Sequence, residues 1–424
     1  YKVSVYERRP DFRTAGFAGG RSINLALSHR GWKALKKIGL DKVVKEIAIP
    51  MNGRMIHDWQ GNTQFVPYGK EGQAIYSVSR GDLNKIMVQQ ADEFKQVDFY
   101  FNEFYSKIDF EKSNLTFTNT STKAISDVKA DFIFGADGAY SQMRYDMQKT
   151  PNFNLSQQHE QYGYKELHMP AGKNKFHQIE KHALHIWPRG SFMMIALPNM
   201  DGSFTVTLFN SFFGENAFEN LTDENTVKEF FLKFFPDAVA LMPDLEKTFF
   251  ENPTSSLVTI KCFPWAHKGV CLIGDAAHAM VPFYGQGMNC GFEDVSELDE
   301  ILTATNENWE EALNQFQQKR KPNTDAIADL ALHNFIEMRD LSGREDFQLR
   351  SKIEKVIAEK FPAEFMTHYS MVTFSDLSYS EAKHQGEKQN ELLDKIMAVP
   401  DIAKKWNSEE IMNIAKQWIN ANHT

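Results

Sequence analysis

The chain has 424 residues, of which 42% are hydrophobic and 24% charged, and its formal net charge is −9. A chain of that length can form two or three domains. The negative net charge argues against a nucleic-acid-binding surface. No apolar run approaches the roughly 18 residues that are needed to cross a bilayer. Three cysteines without a paired-cysteine motif predict reduced thiols, so we expect a soluble, cytoplasmic protein without nucleic-acid or membrane partners.

The first predicted element is a strand over residues 1–7, whose apolar residues alternate and which ends in an acid, Glu7. In a Rossmann-type unit such a strand is the second one, and its terminal acid binds the adenosine ribose about 20 residues after a glycine-rich turn. We therefore expect the first strand and its Gly-x-Gly-x-x-Gly turn to lie upstream of Tyr1. Glu7 and the following Arg8 are candidate cofactor residues.

The next segments alternate between helical and extended patterns. Residues 22–38 have the spacing of a helix, and the preceding Arg21 follows two glycines, where it either meets a phosphate or is solvated. Residues 54–76 indicate short strands and turns. An amphipathic helix begins at Arg80 and ends near residue 94, and residues 97–130 again indicate strands with polar turns.

Two strands of this chain end in a glycine-aspartate turn. One is the apolar run before Asp137, and the other is 270–273, followed by Asp275 and a glycine-punctuated loop that leads into a helix over 291–301. Such carboxylates can accept hydrogen bonds from sugar or ribityl hydroxyls, loop glycines let backbone amides approach a flat ring, and the helix dipole favours negative charge. The predicted cofactor residues here are Asp137, Asp275, Gly285, Gly287, Met288 and Asn289.

The second half of the chain changes pattern twice. Residues 163–264 contain β-rich runs separated by turns and a Phe-rich helix over 226–235, which predicts a separate antiparallel sheet covering the cofactor site. From residue 309 onward the pattern is almost entirely helical, with one long segment that runs to Arg339. We expect an α/β fold with a discontinuous cofactor domain (1–50, 77–160 and 262–308), a sheet domain (51–76 and 161–261) and a C-terminal helical region (309–424).

These segments resemble the flavin-dependent aromatic hydroxylases of the para-hydroxybenzoate hydroxylase fold, and within them the branch that acts on kynurenine. The general marks are Glu7, Asp137-Gly138 and the run that begins at Gly274. The more specific marks lie along nearly the whole chain, at 18–27, 163–167, 184–188, 204–209 and 369–374. The glycine-rich fingerprint and the membrane-anchoring C-terminal helix of the animal enzymes have no counterpart, which predicts a soluble, bacterial-type form.

The resemblance implies a Rossmann-like FAD-binding domain and a definite chemistry. A nicotinamide co-substrate, NADPH, reduces FAD, O2 adds to the reduced flavin, and the resulting flavin hydroperoxide hydroxylates L-kynurenine to 3-hydroxy-L-kynurenine. The protein supplies binding, orientation and electrostatics, and no metal is required. The sequence leaves open the choice between NADPH and NADH and the oligomeric state, with a dimer as one alternative.

The resemblance also implies the site residues. It assigns the substrate carboxylate to Arg54 and Tyr68, the amino-acid end to Asn334 and Tyr369, and FAD contacts to Arg21 and Arg80. Without it, Arg54 is a surface arginine and the apolar residues are core. The implied ring slot consists of Ile195, Leu197, Phe209, Pro282, Phe283 and Met338.

Three points about the chemistry stay open at this stage. No acid or base residue is nominated, because the ortho-amino group already activates the ring. His278 is expected to make a structural hydrogen bond, and the effect of Tyr284, where the family often has another residue, is undetermined. Two other hypotheses compete: a hydroxylase of another aromatic acid, and a flavin-free remnant or binding scaffold.

Overall fold

The structure is a computed structural model that describes residues 1–15, 24–341 and 344–422. The strands are β1 Val3–Glu7, β2 Asn24–Leu27, β3 Ala48–Met51, β4 Gly53–His57, β5 Thr63–Pro67, β6 Ile75–Ser79, β7 Val97–Phe101, β8 Glu103–Asp109, β9 Asn114–Asn119, β10 Ile125–Lys129, β11 Ile133–Gly135, β12 Asn154–Met169, β13 Ala183–Pro188, β14 Met193–Pro198, β15 Phe204–Ser211, β16 Thr254–Phe263, β17 Ala266–His267 and β18 Val270–Leu272.

The α-helices lie between and after these strands. They are α1 Phe12–Ala15, α2 His29–Lys37, α3 Asp41–Glu46, α4 Arg80–Asp92, α5 Gln142–Met147, α6 Glu224–Phe234, α7 Pro236–Val239, α8 Leu245–Glu251, α9 Asp275–His278, α10 Gly287–Ala304, α11 Trp309–Ile336, α12 Glu345–Lys360, α13 His368–Phe374, α14 Tyr379–Met397, α15 Ile402–Lys405 and α16 Glu409–Asn422. No helix in these described ranges is both long enough and apolar enough to cross a membrane.

The largest sheet has seven strands in the order β16-β12-β15-β14-β13-β4-β5. The antiparallel pairing predicted for residues 163–264 is confirmed, and β4, from outside that range, adds a parallel pair with β13. A long stretch of chain joins these two strands instead of a hairpin, and long connections permit the parallel direction. The sheet is therefore mixed, and the parallel pair brings β4 beside the β-rich middle of the chain.

Four smaller sheets complete the α/β architecture: β1-β7, β10-β9-β8, β11-β18-β17 and β2-β6-β3. The strands β11 and β18 are parallel neighbours. Both run in the direction that brings their carboxyl ends to one edge, so the two glycine-aspartate turns lie side by side. The strand predictions for both segments are confirmed.

The predicted helix over 22–38 is wrong in its first part. Residues Asn24–Leu27 form β2, which pairs antiparallel with β6, and only His29–Lys37 are helical. The apolar spacing of 22–38 fits a helix, but pairing with a distant strand decides the conformation of its first residues. The other predicted helices, α4, α10 and α11, are confirmed near their predicted positions.

The large sheet is covered on both faces. On its outer face, side chains from β14 and β15 pack against phenylalanines of α6, such as Phe231, and against Phe235 in one cluster. On its inner face, Phe209 packs in a second cluster with residues of α11, α13 and α14. The inner face and the helices opposite it enclose most of the predicted substrate residues.

Candidate active site

The inner face of the large sheet forms the floor of the site. Side chains two residues apart on a strand share a face, so Thr207 and Phe209 of β15 point the same way. Across the β14–β15 ladder, Ile195 pairs with Thr207, and Leu197 pairs with Thr205, which is the next pair on the same face. Ile195, Leu197 and Phe209 all border the apolar clusters on this face. The register thus brings three predicted slot residues together.

Arg54, on β4, lies among three tyrosines. Its guanidinium carbon is 4.8 Å from the ring centre of Tyr369 and 5.5 Å from that of Tyr68. The two rings are stacked on each other with centres 5.4 Å apart. On the other side Tyr369 stacks with Tyr284 at 5.6 Å. Residues from β4, the end of β5, the loop before α10 and α13 therefore meet in one cluster.

The charge of Arg54 has no counter-ion within the described chain, since no carboxylate lies within ion-pair distance of it. Its buried Nε has no hydrogen-bond partner, and neither has the buried hydroxyl of Tyr68. Burial raises the pKa of Tyr68 well above its ordinary value, so this phenol stays a neutral donor. Because an unpaired buried cation is costly, these donors fit an anionic ligand.

The apolar end of the site is built from aromatic contacts. The Phe283 ring lies 4.8 Å from that of Phe209 and stacks on Phe335 at 4.1 Å. Asn334 donates from Nδ2 to the carbonyl of Phe283 at 2.6 Å, which ties α11 to the loop. Met338 is buried in the same cluster. Of the predicted slot residues, only Pro282 is exposed.

Two residues of this site were not predicted from the sequence. Thr207 is 1% exposed and its hydroxyl has no hydrogen-bond partner. The alternation Thr205, Thr207, Phe209 along one strand could have placed it on the floor. The second is Glu337, which pairs with His333 at 3.2 Å and precedes Met338. Nothing in the sequence distinguishes this acid from a solvated one.

The two glycine-aspartate turns are joined by Arg144, the third residue of α5. Its guanidinium donates to the carbonyl of Ala139 at 2.6 Å and to that of Ala276 at 2.8 Å. Asp137 accepts a hydrogen bond from the Met143 amide at 3.0 Å. The Asp275 carboxylate is exposed and makes no hydrogen bond or ion pair within the described residues. One buried arginine therefore positions both turns.

The loop before α10 approaches β2 closely. Gly285 has φ +67°, and a Cβ there would lie 3.0 Å from the Ala26 side chain. Asn289 is fully buried, and its side chain accepts from the Ser28 amide and donates to the carbonyls of Ala26 and Gly285. The side chain of Asn289 thus holds the loop in place, and Gly287 leaves the N-terminus of an 18-residue helix open.

The other predicted cofactor residues are more dispersed. Both carboxylate oxygens of Glu7 accept from Arg9, at 2.9 and 3.0 Å, and Arg8 beside it is exposed. Arg80 is exposed at the first position of α4. Met288 is partly buried and packs against the cluster around α2. Arg21 lies outside the described residues.

His278, Cys290 and Asp294 place potential metal ligands near one another in the interior. The carboxylate of Asp294 is already bound, however, with His278 Nε2 at 2.5 Å and Arg320 Nε at 2.7 Å. Arg320 also bonds Glu293 at 2.6 Å. A fixed cation at this position disfavours a metal ion, and the expected structural hydrogen bond of His278 is confirmed.

The edge formed by these turns fits FAD. Adjacent parallel strands present the two aspartates, a positive-φ glycine leaves room for a close approach, and a long helix directs its N-terminus to the same loop. The aspartates can accept hydrogen bonds from sugar or ribityl hydroxyls, and the helix N-terminus provides a partial positive charge for an electron-rich ring.

Comparisons with known proteins agree with this geometry. A family model described as an FAD binding domain matches residues 22–331. Over 414 residues the chain is 47% identical to kynurenine 3-monooxygenase of Flavobacterium johnsoniae. This alignment covers 97% of this chain and 92% of that protein. The corresponding protein of Christiangramia forsetii is 46% identical over 413 residues, with 97% and 92% covered.

The fold also resembles that of a solved oxygenase. The tetrameric form of 2-methyl-3-hydroxypyridine-5-carboxylic acid oxygenase superposes with a TM-score of 0.65 at 20% identity, covering 84% of this chain and 90% of that one. At this level of identity the likeness concerns the fold alone.

Proposed function

The chain belongs to the FAD-binding domain family, among the kynurenine 3-monooxygenases, and from that premise we propose that it hydroxylates L-kynurenine to 3-hydroxy-L-kynurenine with NADPH and O2. One observation carries the substrate assignment. Arg54 is a cation without a counter-ion within the described residues, and it stands among tyrosines at one end of an apolar slot.

Arg54 and Tyr68 bind the substrate carboxylate in this proposal. A guanidinium can donate two parallel hydrogen bonds to a carboxylate, and a neutral phenol adds a third. The free Nε of Arg54 and the free hydroxyl of Tyr68 are the donors that the carboxylate would satisfy. Tyr369 stacks beside them and keeps water from that ion pair.

The substrate ammonium group and ring then extend toward α11. Asn334, whose amide bonds the Phe283 carbonyl, lies where the slot meets the amino-acid end in this proposal, and the Glu337 carboxylate balances the ammonium charge. Burial raises the pKa of Tyr284 well above its ordinary value, and the neighbouring Tyr369 and the Glu337 carboxylate raise it further. The aromatic ring occupies the slot formed by Ile195, Leu197, Phe209, Pro282, Phe283 and Met338.

FAD supplies the hydride acceptor and the oxygen-transferring chemistry when it is bound. We propose that the chain holds it through Glu7, Arg8, Arg21, Arg80, Asp137, Asp275, Gly285, Gly287, Met288 and Asn289. The parallel pair β11–β18 and the bridging Arg144 support this assignment, since they place Asp137 and Asp275 at one edge.

The protein's own contribution is positioning and exclusion of water. The ortho-amino group of the substrate donates electron density to its ring, so the ring needs little help from a general base. The aromatic contacts of Phe209, Phe283 and Phe335 exclude water from the slot. Holding the two reactants in a fixed geometry is worth many orders of magnitude in rate.

We further propose two features of the whole protein. A cytoplasmic location is supported by Cys262, Cys271 and Cys290, which are buried free thiols. The division into a cofactor domain (1–50, 77–160 and 262–308), a sheet domain (51–76 and 161–261) and a helical region (309–424) is supported by the separate sheets.

The substrate assignment is tested by pairing an Arg54 variant with a ligand that lacks the carboxylate. We expect Arg54→Ala to weaken kynurenine binding by about 30-fold or more, the order expected for losing a charge-assisted pair. Kynuramine, which has the same ring and ketone but no carboxylate, should bind both proteins equally. Flavin absorbance titrations measure both affinities.

Arg54→Lys provides the graded control. It keeps the charge and loses the paired hydrogen bonds, so its affinity for kynurenine should lie between that of the unaltered protein and that of Arg54→Ala. If Arg54→Ala binds kynurenine as tightly as the unaltered protein, and another aromatic acid is hydroxylated faster, the substrate assignment is wrong.

A further inference from the structure

A groove of about 430 Å³ lies between α2, α3 and β6, on the opposite side of α2 from the helix α10. Its aromatic and basic lining consists of His29, Trp32, Lys33, Lys36, Lys45 and Tyr76. Neither the proposed substrate site nor the proposed FAD residues include any of these side chains. The groove is open to solvent and therefore accessible to a soluble ligand.

The spacing of the groove residues on α2 explains why they share a face. His29, Trp32, Lys33 and Lys36 stand at positions i, i+3, i+4 and i+7 of one helix. The opposite face packs against the body of the protein, where a Cβ on Gly31 would lie 2.5 Å from Asn289. The helix therefore presents one basic, aromatic stripe outward.

This groove concentrates positive charge on an acidic protein. The chain carries a net charge of −9, yet one carboxylate, Asp41, lines the groove beside three lysines and a histidine. Lys36 and Lys45 form no ion pair with any described residue. The lysines are exposed, so their attraction for an anion is screened by salt beyond about 8–10 Å.

The floor of the groove is aromatic. The rings of Trp32 and Tyr76 meet edge to face with centres 5.0 Å apart at 82°. An indole face beside ammonium groups is a combination that binds a flat heterocycle carrying phosphates, because the ring stacks and the phosphates pair with lysines.

The first turn of α2, where His29 begins the groove, is attached to the loop and helix around Asn289 through the opposite face of α2. Ser28, immediately before α2, donates its amide to Asn289 at 2.9 Å, and Asn289 is the third residue of α10. Along the helix Lys36 lies about 10 Å from His29. A dinucleotide that reaches from the loop along α2 would place its far phosphate among the lysines.

We propose that this groove binds the adenosine end of NADPH, with the adenine on Trp32 and the phosphates on Lys33, Lys36 and Lys45. The proposal rests on the proposed function, because it names where the co-substrate of that reaction binds. The additional phosphate on the adenosine ribose distinguishes NADPH from NADH, so a lysine-lined groove favours NADPH.

Asp376 is an internal competitor for the same cations. Its Oδ1 lies 2.9 Å from Lys33 Nζ and 3.2 Å from His29 Nε2. An incoming phosphate shares or replaces this carboxylate. Removing the charge of Asp376 should therefore strengthen binding, whereas reversing a lysine charge should weaken it.

The test uses the full chain with its flavin bound, and the probes are NADP⁺ and adenosine 2′,5′-bisphosphate in equilibrium titrations. Lys36→Glu and Lys45→Glu should each weaken binding of both probes about three- to tenfold, and Asp376→Asn should strengthen it. Lys42→Glu makes the same charge change on α3 outside the groove, and should leave both affinities unchanged.

Trp32→Leu separates stacking from charge. It should weaken adenosine 2′,5′-bisphosphate about threefold or more and leave inorganic phosphate binding unchanged. In every variant the flavin content and the affinity for kynurenine report whether the rest of the protein is intact.

Unaltered NADP⁺ binding in Lys36→Glu and Lys45→Glu overturns the proposal, as does an equal loss in Lys42→Glu. Those results would leave the proposed function standing if kynurenine is still hydroxylated. Conversely, a protein that binds NADP⁺ in the groove and hydroxylates no kynurenine contradicts the function and not the groove.

Discussion

Thr207 is a buried residue whose side-chain hydroxyl has no hydrogen-bond partner. Its hydroxyl is buried in the floor of an apolar slot without a partner, which costs about 1–3 kcal/mol in a folded protein. A substrate that hydrogen-bonds to this hydroxyl, through its ketone or amino group, would remove the cost. The neighbouring Ile195 and Phe209 offer no polar atom in its place, and Glu166, its partner across the β12–β15 ladder, makes no hydrogen bond to it.

Thr207→Val therefore has two expected effects of opposite sign. The substrate-free protein should gain about 1 kcal/mol of unfolding free energy, because the unpaired hydroxyl is gone. Kynurenine should bind about three- to tenfold more weakly. Chemical denaturation and flavin titration measure the two quantities.

Thr259 provides a matched control for this prediction. Its hydroxyl is also buried and unpartnered, but it lies on β16 at the far side of the sheet from β4. Thr259→Val should raise stability in the same way and leave kynurenine affinity unchanged. An unchanged kynurenine affinity in Thr207→Val would show that this hydroxyl does not contact the substrate.

At the scale of elements, Arg144 couples α5 to the two turns that are proposed to hold FAD. Its removal takes the donor from the buried carbonyl of Ala276 and from the half-buried carbonyl of Ala139. We expect Arg144→Met to weaken FAD retention at least about tenfold, because each turn loses its fixed position. The flavin absorbance that remains after gel filtration measures it.

Arg350, whose guanidinium bonds Asp394 on the neighbouring helix, is the control for Arg144. Arg350→Met removes the same charge in the helical region and should retain the flavin fully. Equal flavin content in Arg144→Met and Arg350→Met would mean that the two turns hold their geometry without Arg144.

The large sheet and α7 are joined by a buried chain of polar groups. Asp237 lies 2.8 Å from His57, whose other ring nitrogen lies 2.8 Å from His185, and His185 bonds the Glu180 carbonyl at 2.7 Å. Burial lowers the pKa of His185 from its ordinary value of 6.5 to about 4. In the folded protein His185 is therefore neutral at pH 5, whereas in the unfolded chain it is protonated.

This difference predicts how stability depends on pH. Between about pH 6.5 and 4 the unfolded chain binds a proton that folded His185 does not, so stability falls as the pH falls through that window, by about 3 kcal/mol in total. His185→Gln keeps the hydrogen bonds without a titrating ring, and should show a shallower decline. Denaturant unfolding at pH 7.5 and 5 measures it.

His384→Gln, on the exposed surface of α14, should retain the original pH dependence. An identical slope in His185→Gln and the unaltered protein would contradict the assignment of the proton to His185.

Helices and strands could be predicted from the sequence where the spacing of apolar residues within the element itself is enough to determine its conformation. Helices α4, α10 and α11 follow from their own spacing, whereas β2 became a strand because it pairs with β6, which no local pattern reveals. The same division holds for the site. The resemblance brought Arg54 and Tyr68 together, but the missing counter-ion of Arg54 and the unpaired hydroxyl of Thr207 depend on what distant strands place around them.

At the scale of the whole molecule, the two faces of the seven-stranded sheet pack against different parts of the chain. Its inner face and the helices α11 and α13 enclose most of the proposed substrate residues, and its outer face packs against phenylalanines that stabilise it. The cofactor edge is built independently from β11, β18 and α10. The fold thus brings the proposed anion-binding arginine, an apolar slot and the proposed flavin edge into one protein.

We propose that this protein transfers one oxygen atom from O2 to the ring of kynurenine. The most direct measurement is mass spectrometry of the product formed from L-kynurenine and NADPH under isotopically labelled oxygen. We expect a ring-hydroxylated product that carries one labelled atom, in proportion to the NADPH consumed. NADPH consumption without labelled product, or no reaction when the protein is saturated with FAD, would contradict the claim.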